Sequence, residues 1–305
     1  MRGVLRAPAP GTSYLHALAP VRGALWRLAV AVVGTVAGLL LLPVIAFGAV
    51  FAGARLSGFR DYTFKISDGV NAGEILSINL GLAALIPLAA LLSRLLYRVR
   101  VRWLVSTNPG MRWRWLLVCV GIATLGWSLF LIAGTAVAVA SREEPMTAGV
   151  WAFLAVVVLT TPLQAAGEEY VFRGLLLQGL GAVRLPASVC CVASGVLFAA
   201  AHLQFDPELF ADRLLLGIAL AFLAIRTGGL EAGIAIHAVK NITVLLPAGL
   251  LERTASTLQP QGVSWLPLVL DGVLLAVLVP SMLRAARRRA SAVVLEHPAP
   301  SAPAP

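Results

Sequence analysis

Apolar runs of roughly 17–25 residues, the length that crosses a bilayer as helix, recur along this chain with short polar interruptions. They lie near 28–54, 75–97, 114–140, 147–181, 186–204, 210–226, 230–249 and 265–283. The pattern predicts an all-α fold, a polytopic membrane helix bundle of about eight transmembrane helices. The fourth run is too long for one straight span. Pro162, directly after Thr160 and Thr161, is predicted to kink or break it. The punctuation divides the chain into an N-terminal segment (1–27), N-terminal membrane helices (28–145) and a core (146–250). A final span (251–284) and a tail (285–305), rich in Arg and then in Pro and Ala, complete it. The tail is predicted to be disordered, since its prolines leave no helix or strand to build.

Composition agrees with a membrane protein. The chain is 59% hydrophobic and 12% charged, against about 45–50% and about 25% for soluble domains. Lys and Arg exceed Asp and Glu, 24 to 14, but nucleic acid is excluded as a partner because the arginines cluster at the ends of apolar runs. Arg2, Arg6, Arg22 and Arg27 precede the first run, and Arg94, Arg98, Arg100, Arg102, Arg112 and Arg114 fill the second loop. Arg184, Arg226 and the group from Arg284 to Arg289 mark the same side, while Asp61, Asp68, Glu143, Glu144, Asp206, Glu208 and Asp212 lie opposite. The bias predicts an integral membrane protein with both termini cytoplasmic and lipid as its immediate partner. The first run is too long for a signal-peptide core, and is read as an uncleaved span. Cys119, Cys190 and Cys191 all fall in apolar stretches and are read as buried thiols, not as a disulfide framework.

The polar residues inside the apolar runs carry the functional information. Between Thr147 and Val183 the only charged side chains are Glu168, Glu169 and Arg173, in the stretch AAGEEYVFRG. A charge within a span costs several kcal/mol or more. On a helix Glu169 and Arg173 are i,i+4 neighbours and can pair, while Glu168 points about 100° away. One carboxylate is thus braced and the other left for chemistry. A second group is Phe198 and His202, four residues apart; a third is His237 and Asn241, on one helix face. Lys240, beside them, is a candidate partner for Asp271 in the last span.

Glu168 lies 16 residues before Arg184, and His202 lies 18 after it. Both therefore sit roughly 24–27 Å from the predicted turn, at one level. His237, nine residues beyond Gly228, comes out shallower, at roughly 13 Å. A shared site of this kind suits hydrolysis. A sheltered carboxylate can take a proton from water, histidine can orient that water or bind a metal, and asparagine can donate to an oxyanion. Glu168, His202 and His237 are the candidate ligands for a divalent metal such as zinc, although no HEXXH motif is present.

The ordered set EEYVFRG, FAAAH and HAVKN, each on its own apolar run, resembles the CPBP family of intramembrane proteases. That family includes CAAX prenyl endopeptidases of the Rce1 type and bacterial Abi relatives. The resemblance covers roughly Thr147 to Gly249 and implies a CAAX-type intramembrane metalloendopeptidase, in a bacterial plasma membrane. Its substrate would be a membrane-anchored protein or peptide, prenylated or not. It further implies that Glu168 activates water, that His202 binds or orients it, and that His237 and Asn241 complete the site and stabilise the oxyanion. Glu169 and Arg173 would brace the first motif. Two other classes compete: a non-catalytic immunity or scaffold protein on the same fold, and a proton-coupled transporter using Glu168 and His202 as a relay. The lack of a detectable internal repeat weighs against the transporter.

Overall fold

A computed structural model describes residues 5–19, 21–58, 71–142, 145–252 and 264–296, with the side chains of 290–296 excepted. The expected charges at Arg2, Asp61, Asp68, Glu143 and Glu144 lie outside these residues. The described chain is helical, and isolated bridges pair Arg6 with Val99 and Ser106 with Gly229. In chain order the helices are α1 (Ala24–Leu56), α2 (Ala72–Ala83), α3 (Leu85–Leu92), α4 (Arg102–Val105), α5 (Trp113–Ala140) and α6 (Ala148–Glu169). Then follow α7 (Leu177–Ala182), α8 (Ala187–Ala200), α9 (Pro207–Thr227), α10 (Glu231–Leu250) and α11 (Leu266–Glu296).

The polytopic bundle is as expected, but the helix inventory differs in three places. Among the described residues six segments are long and apolar enough to span: 24–56, 72–97, 113–140, 148–182, 231–250 and 266–289. The expected fifth span is the 14-residue α8, roughly 21 Å long and short of the roughly 30 Å hydrocarbon core. The expected sixth is α9, long enough but carrying Glu208, Asp212, Arg213 and Arg226. Secondly, Pro162 does not interrupt α6. Its missing N–H leaves a carbonyl unpaired one turn back, a loss that hydroxyl side chains offset in membrane helices. Nearby, Thr160 Oγ1 donates at 2.6 Å to the Val156 carbonyl, two residues before the Val158 carbonyl that Pro162 frees. The irregularity comes later, as a π-helical turn at Tyr170–Leu176. Thirdly, α11 continues to Glu296, well into the tail expected to be disordered. Ala and Arg dominate that stretch, and both are strong helix formers. Residues 297–305 of the predicted tail lie outside the described residues.

Close backbone crossings hold α6 and its neighbours in place. A Cβ on Gly167 would meet the Leu82 carbonyl oxygen at 2.0 Å, and one on Gly81 would meet Pro43 Cα at 2.4 Å. Glycine is therefore required where α6 crosses α2 and where α2 crosses α1. Beside the first crossing, Asn79 Nδ2 donates to Thr160 Oγ1 at 2.7 Å. On the other side α8 and α9 meet at Gly195 and Gly217, where an added Cβ would stand 2.7 Å from the facing Cα.

The segment before α1 is part of the fold. Tyr14, Leu15 and Leu18 are buried. Tyr14 donates to the carbonyls of Leu104 (2.6 Å) and Arg173 (3.2 Å). Burial pushes its phenol well above the ordinary range, so it remains a donor. The three cysteines are buried and free, as expected. Lys240 binds Asp271, as expected, and also Asp212 at 2.8 Å, joining α9, α10 and α11.

Candidate active site

The π-helical turn begins directly after the two glutamates, so the end of α6 and its wide turn set the geometry of the first motif. Such turns occur often at functional sites. Glu169 and Arg173 are buried without measurable exposure, and Arg173 Nη1 donates to Glu169 Oε1 at 2.7 Å. Arg173 Nη2 reaches the Gly217 carbonyl at 3.4 Å, drawing on the α8–α9 crossing. His237, from α10, adds a second bond to the same carboxylate: its Nδ1 lies 3.0 Å from Glu169 Oε1. A carboxylate only accepts, so Nδ1 carries the hydrogen and Nε2 of the neutral ring is an acceptor. Glu169 is thus a brace that fixes one histidine tautomer.

Glu168 is placed differently. Oε1 accepts from Gln164 Nε2 at 2.7 Å, and Gln164 Oε1 accepts from Asn241 Nδ2 at 3.1 Å. Asn241 therefore orients Glu168 through Gln164, with one amide hydrogen used and a second to give. Glu168 Oε2 is buried, has no hydrogen-bond partner, and faces His237 Nε2 at 3.5 Å. A water off the line between two such acceptors would donate a hydrogen to each.

His202, half-buried past the end of α8, bonds the Phe198 carbonyl through Nδ1 at 2.9 Å, which leaves its Nε2 as the outward nitrogen. Phe198 is the common floor. Its ring meets His202 edge-on at 4.9 Å and His237 at 5.5 Å, and Arg173 lies over it at 4.3 Å. The structure thus forms two bonded sets, Glu169 with Arg173 and His237 and Glu168 with Gln164 and Asn241, which face each other across 3.5 Å, and sets His202 one aromatic ring away. His237 joins despite its shallow expected depth because the α9–α10 turn is itself sunk in the protein. Leu230 N and Thr107 N form backbone bonds that tie this turn to the 105–107 segment, and Glu231 is already buried without measurable exposure.

Sequence reasoning passed over Gln164, Phe198 as a packing floor, and Gly233, whose added Cβ would meet Glu169 Oε2 at 2.8 Å. Gln164 had a signal, lying one helical turn before Glu168. The expected metal ligands do not form a ready donor set. Among the described residues no group of three or more His, Cys, Asp or Glu is arranged to hold a metal ion. With Nδ1 engaged in both rings, Nε2 is the nitrogen that His237 and His202 would offer a metal.

Residues 147–243 match the family described as "Type II CAAX prenyl endopeptidase Rce1-like". The likeness to that family extends over about a third of the chain. The Rce1-like segment contains every residue of both sets, from Gln164 to Asn241. A curated relative, an uncharacterized protein named YyaK from Bacillus subtilis (strain 168), is 25% identical over 171 residues. That alignment covers 52% of this chain and 55% of the relative, so the chain spans about half the length of the curated relative it matches. No solved structure matches the chain.

Proposed function

We propose that this protein is an intramembrane endopeptidase that hydrolyses a peptide bond of a membrane-associated or CAAX-type protein with a glutamate-activated water. The observation that carries the reading is the contrast within one pair. Glu169 is wholly buried, with Oε1 bonded by both Arg173 and His237 and its unpartnered Oε2 packed towards Gly233. The unpartnered oxygen of Glu168 instead faces an acceptor nitrogen, on a side chain that keeps 8% exposure.

A water donating to Glu168 Oε2 and His237 Nε2 turns a lone pair toward a carbonyl carbon laid across the site. Glu168 takes its proton as the C–O bond forms. The second hydrogen of Asn241 Nδ2 is the candidate donor to the oxyanion, and His202, through its outward Nε2, helps to orient the water. When the tetrahedral intermediate collapses the C–N bond breaks, and Glu168 returns its proton to the leaving amine. No step is routed through a metal, since the donor set does not form one. Arg173 contributes by holding the Glu169 carboxylate in place against His237 Nδ1. The Rce1-like match, the apolar spans and the arginine-rich loops support a bacterial plasma membrane setting with both termini cytoplasmic.

Purified protein in nanodiscs, offered a library of membrane-anchored peptides, tests the reading. Wild type is expected to cleave, and Glu168→Ala and His202→Ala to lose cleavage while remaining folded. Proteolysis that survives Glu168→Ala contradicts it. Proton transport that survives the same change dismisses a relay as well.

A further inference from the structure

Arg213 stands on α9, and nothing in the reaction above uses it. Its sequence neighbour Asp212 is engaged elsewhere, accepting from Lys240. Arg213 Nη2 donates to Gln204 Oε1 in the turn between α8 and α9, which aims the guanidinium. Its Nη1 is buried and has no hydrogen-bond partner, and Arg213 forms no ion pair among the described residues. Through Gln204 it stands at the turn that carries His202, two residues away, and Asp212, Glu168 and Asp206 are the acids whose charge it feels. Leaving a buried donor unpaired costs about 1–3 kcal/mol, and more for a charged group. A cation that keeps such a donor beside a catalytic carboxylate is built for an incoming acceptor.

We propose that Arg213 binds a carboxylate of the substrate, so that the site selects a peptide bond close to a negative charge. The ligand class follows from charge and shape. One cation outside any ion pair balances one negative charge, and a dianionic phosphate would also meet Glu168. A guanidinium edge matches the planar pair of oxygens of a carboxylate. The carboxylate has two sources, the free C-terminus of the peptide and an Asp or Glu side chain. The assignment rests on the peptidase reading for its meaning, but it is tested by binding alone.

The probe is an N-palmitoylated tetrapeptide of alanine, valine and leucine, prepared as the free acid, as the C-terminal amide, and as an amide with glutamate at the third position. Binding to Glu168→Gln protein in phosphatidylcholine nanodiscs is measured with and without Arg213→Gln or Arg213→Lys. In the Arg213-containing protein at least one carboxylate peptide is expected to bind about tenfold or more tighter than the plain amide. The better of the two identifies the source. Arg213→Gln should erase the preference without weakening the amide, and Arg213→Lys should keep part of it, which excludes general misfolding. Equal affinity for all three peptides, or a preference that survives Arg213→Gln, overturns the assignment. If the preference depends on Arg213 but no peptide is ever cleaved by wild type, the carboxylate site stands and the peptidase reading falls.

Discussion

Helix α10 carries two buried ionic clusters, and they differ in completeness. At its first residue, Glu231 Oε1 accepts from the backbone N–H (3.0 Å) and Nε (2.9 Å) of Arg112, and Oε2 accepts from Nη2 at 2.7 Å. Arg112 Nη1 reaches the Thr227 carbonyl at 3.0 Å. Every oxygen of Glu231 is answered, and the pair clamps the loop before α5 to the turn before α10. Two helical turns later His237 enters a cluster in which Glu168 Oε2 is left open. Glu231 and Glu168 are both buried acids in an apolar protein, so burial does not separate a brace from a base. What separates them is an unanswered oxygen with an approach: the Glu168 side chain keeps 8% exposure, against none for Glu231.

The sharpest way to break this comparison is to neutralise each acid's role in turn. Glu168→Gln keeps the shape and removes the base, so cleavage should fall by roughly 100-fold to 10,000-fold, with the melting temperature held. A variant that keeps its rate, or that loses its fold together with its rate, contradicts the assignment of roles. Arg112→Ala should do the reverse. Leaving Glu231 buried and unpaired costs about 3 kcal/mol, at the low end of the range because Arg112 is 23% exposed. Thermal melts in detergent should show the loss, while kcat of the folded fraction stays within a few-fold of wild type. An unchanged melt would make the clamp decorative.

Smaller effects sharpen the same distinction. Gln164→Leu removes one hydrogen bond to a carboxylate, about 1.5–3 kcal/mol, and should lower kcat by roughly tenfold or more with KM nearly unchanged. A KM effect alone would place Gln164 in substrate binding. Gly233→Ala puts a methyl against Glu169 Oε2, a contact of 2.8 Å that must relax. A few-fold drop in kcat is expected, measured in the same assay, and none if Glu169 only fills space. Least of all, a chelator such as EDTA should leave cleavage unaltered; loss restored by added zinc would return Glu168, His202 and His237 to the role of metal ligands.

Much of the fold was legible in the chain because membrane spans announce themselves by length and hydropathy. The Glu169–Arg173 pair was legible too, as it needs only the i,i+4 spacing of a helix. The failures share one cause, that local pattern does not report tertiary surroundings. Pro162 was expected to kink or break the fourth span, and α6 runs through it without a break, packed against α2. The depth of His237 was measured from a turn assumed to lie at the membrane surface, whereas backbone bonds to residues 105–107 bury it. Asn241 also donates one amide hydrogen to Gln164, a tie that its spacing from His237 does not announce. Of the eight expected spans, six are long and apolar enough among the described residues, and the other two are the short α8 and the charged α9.

A single turnover in water enriched with oxygen-18 tests the central role of Glu168 most directly. Enzyme in excess over a cleavable membrane-anchored peptide is quenched after one cycle, and both the new C-terminus and the Glu168 peptide are weighed. Direct attack by a water held at Glu168 predicts one heavy oxygen in the product carboxylate and none in Glu168. An unlabelled product, with the heavy oxygen found in Glu168 instead, would mean that the carboxylate itself attacks the peptide bond, and would contradict the activated-water mechanism.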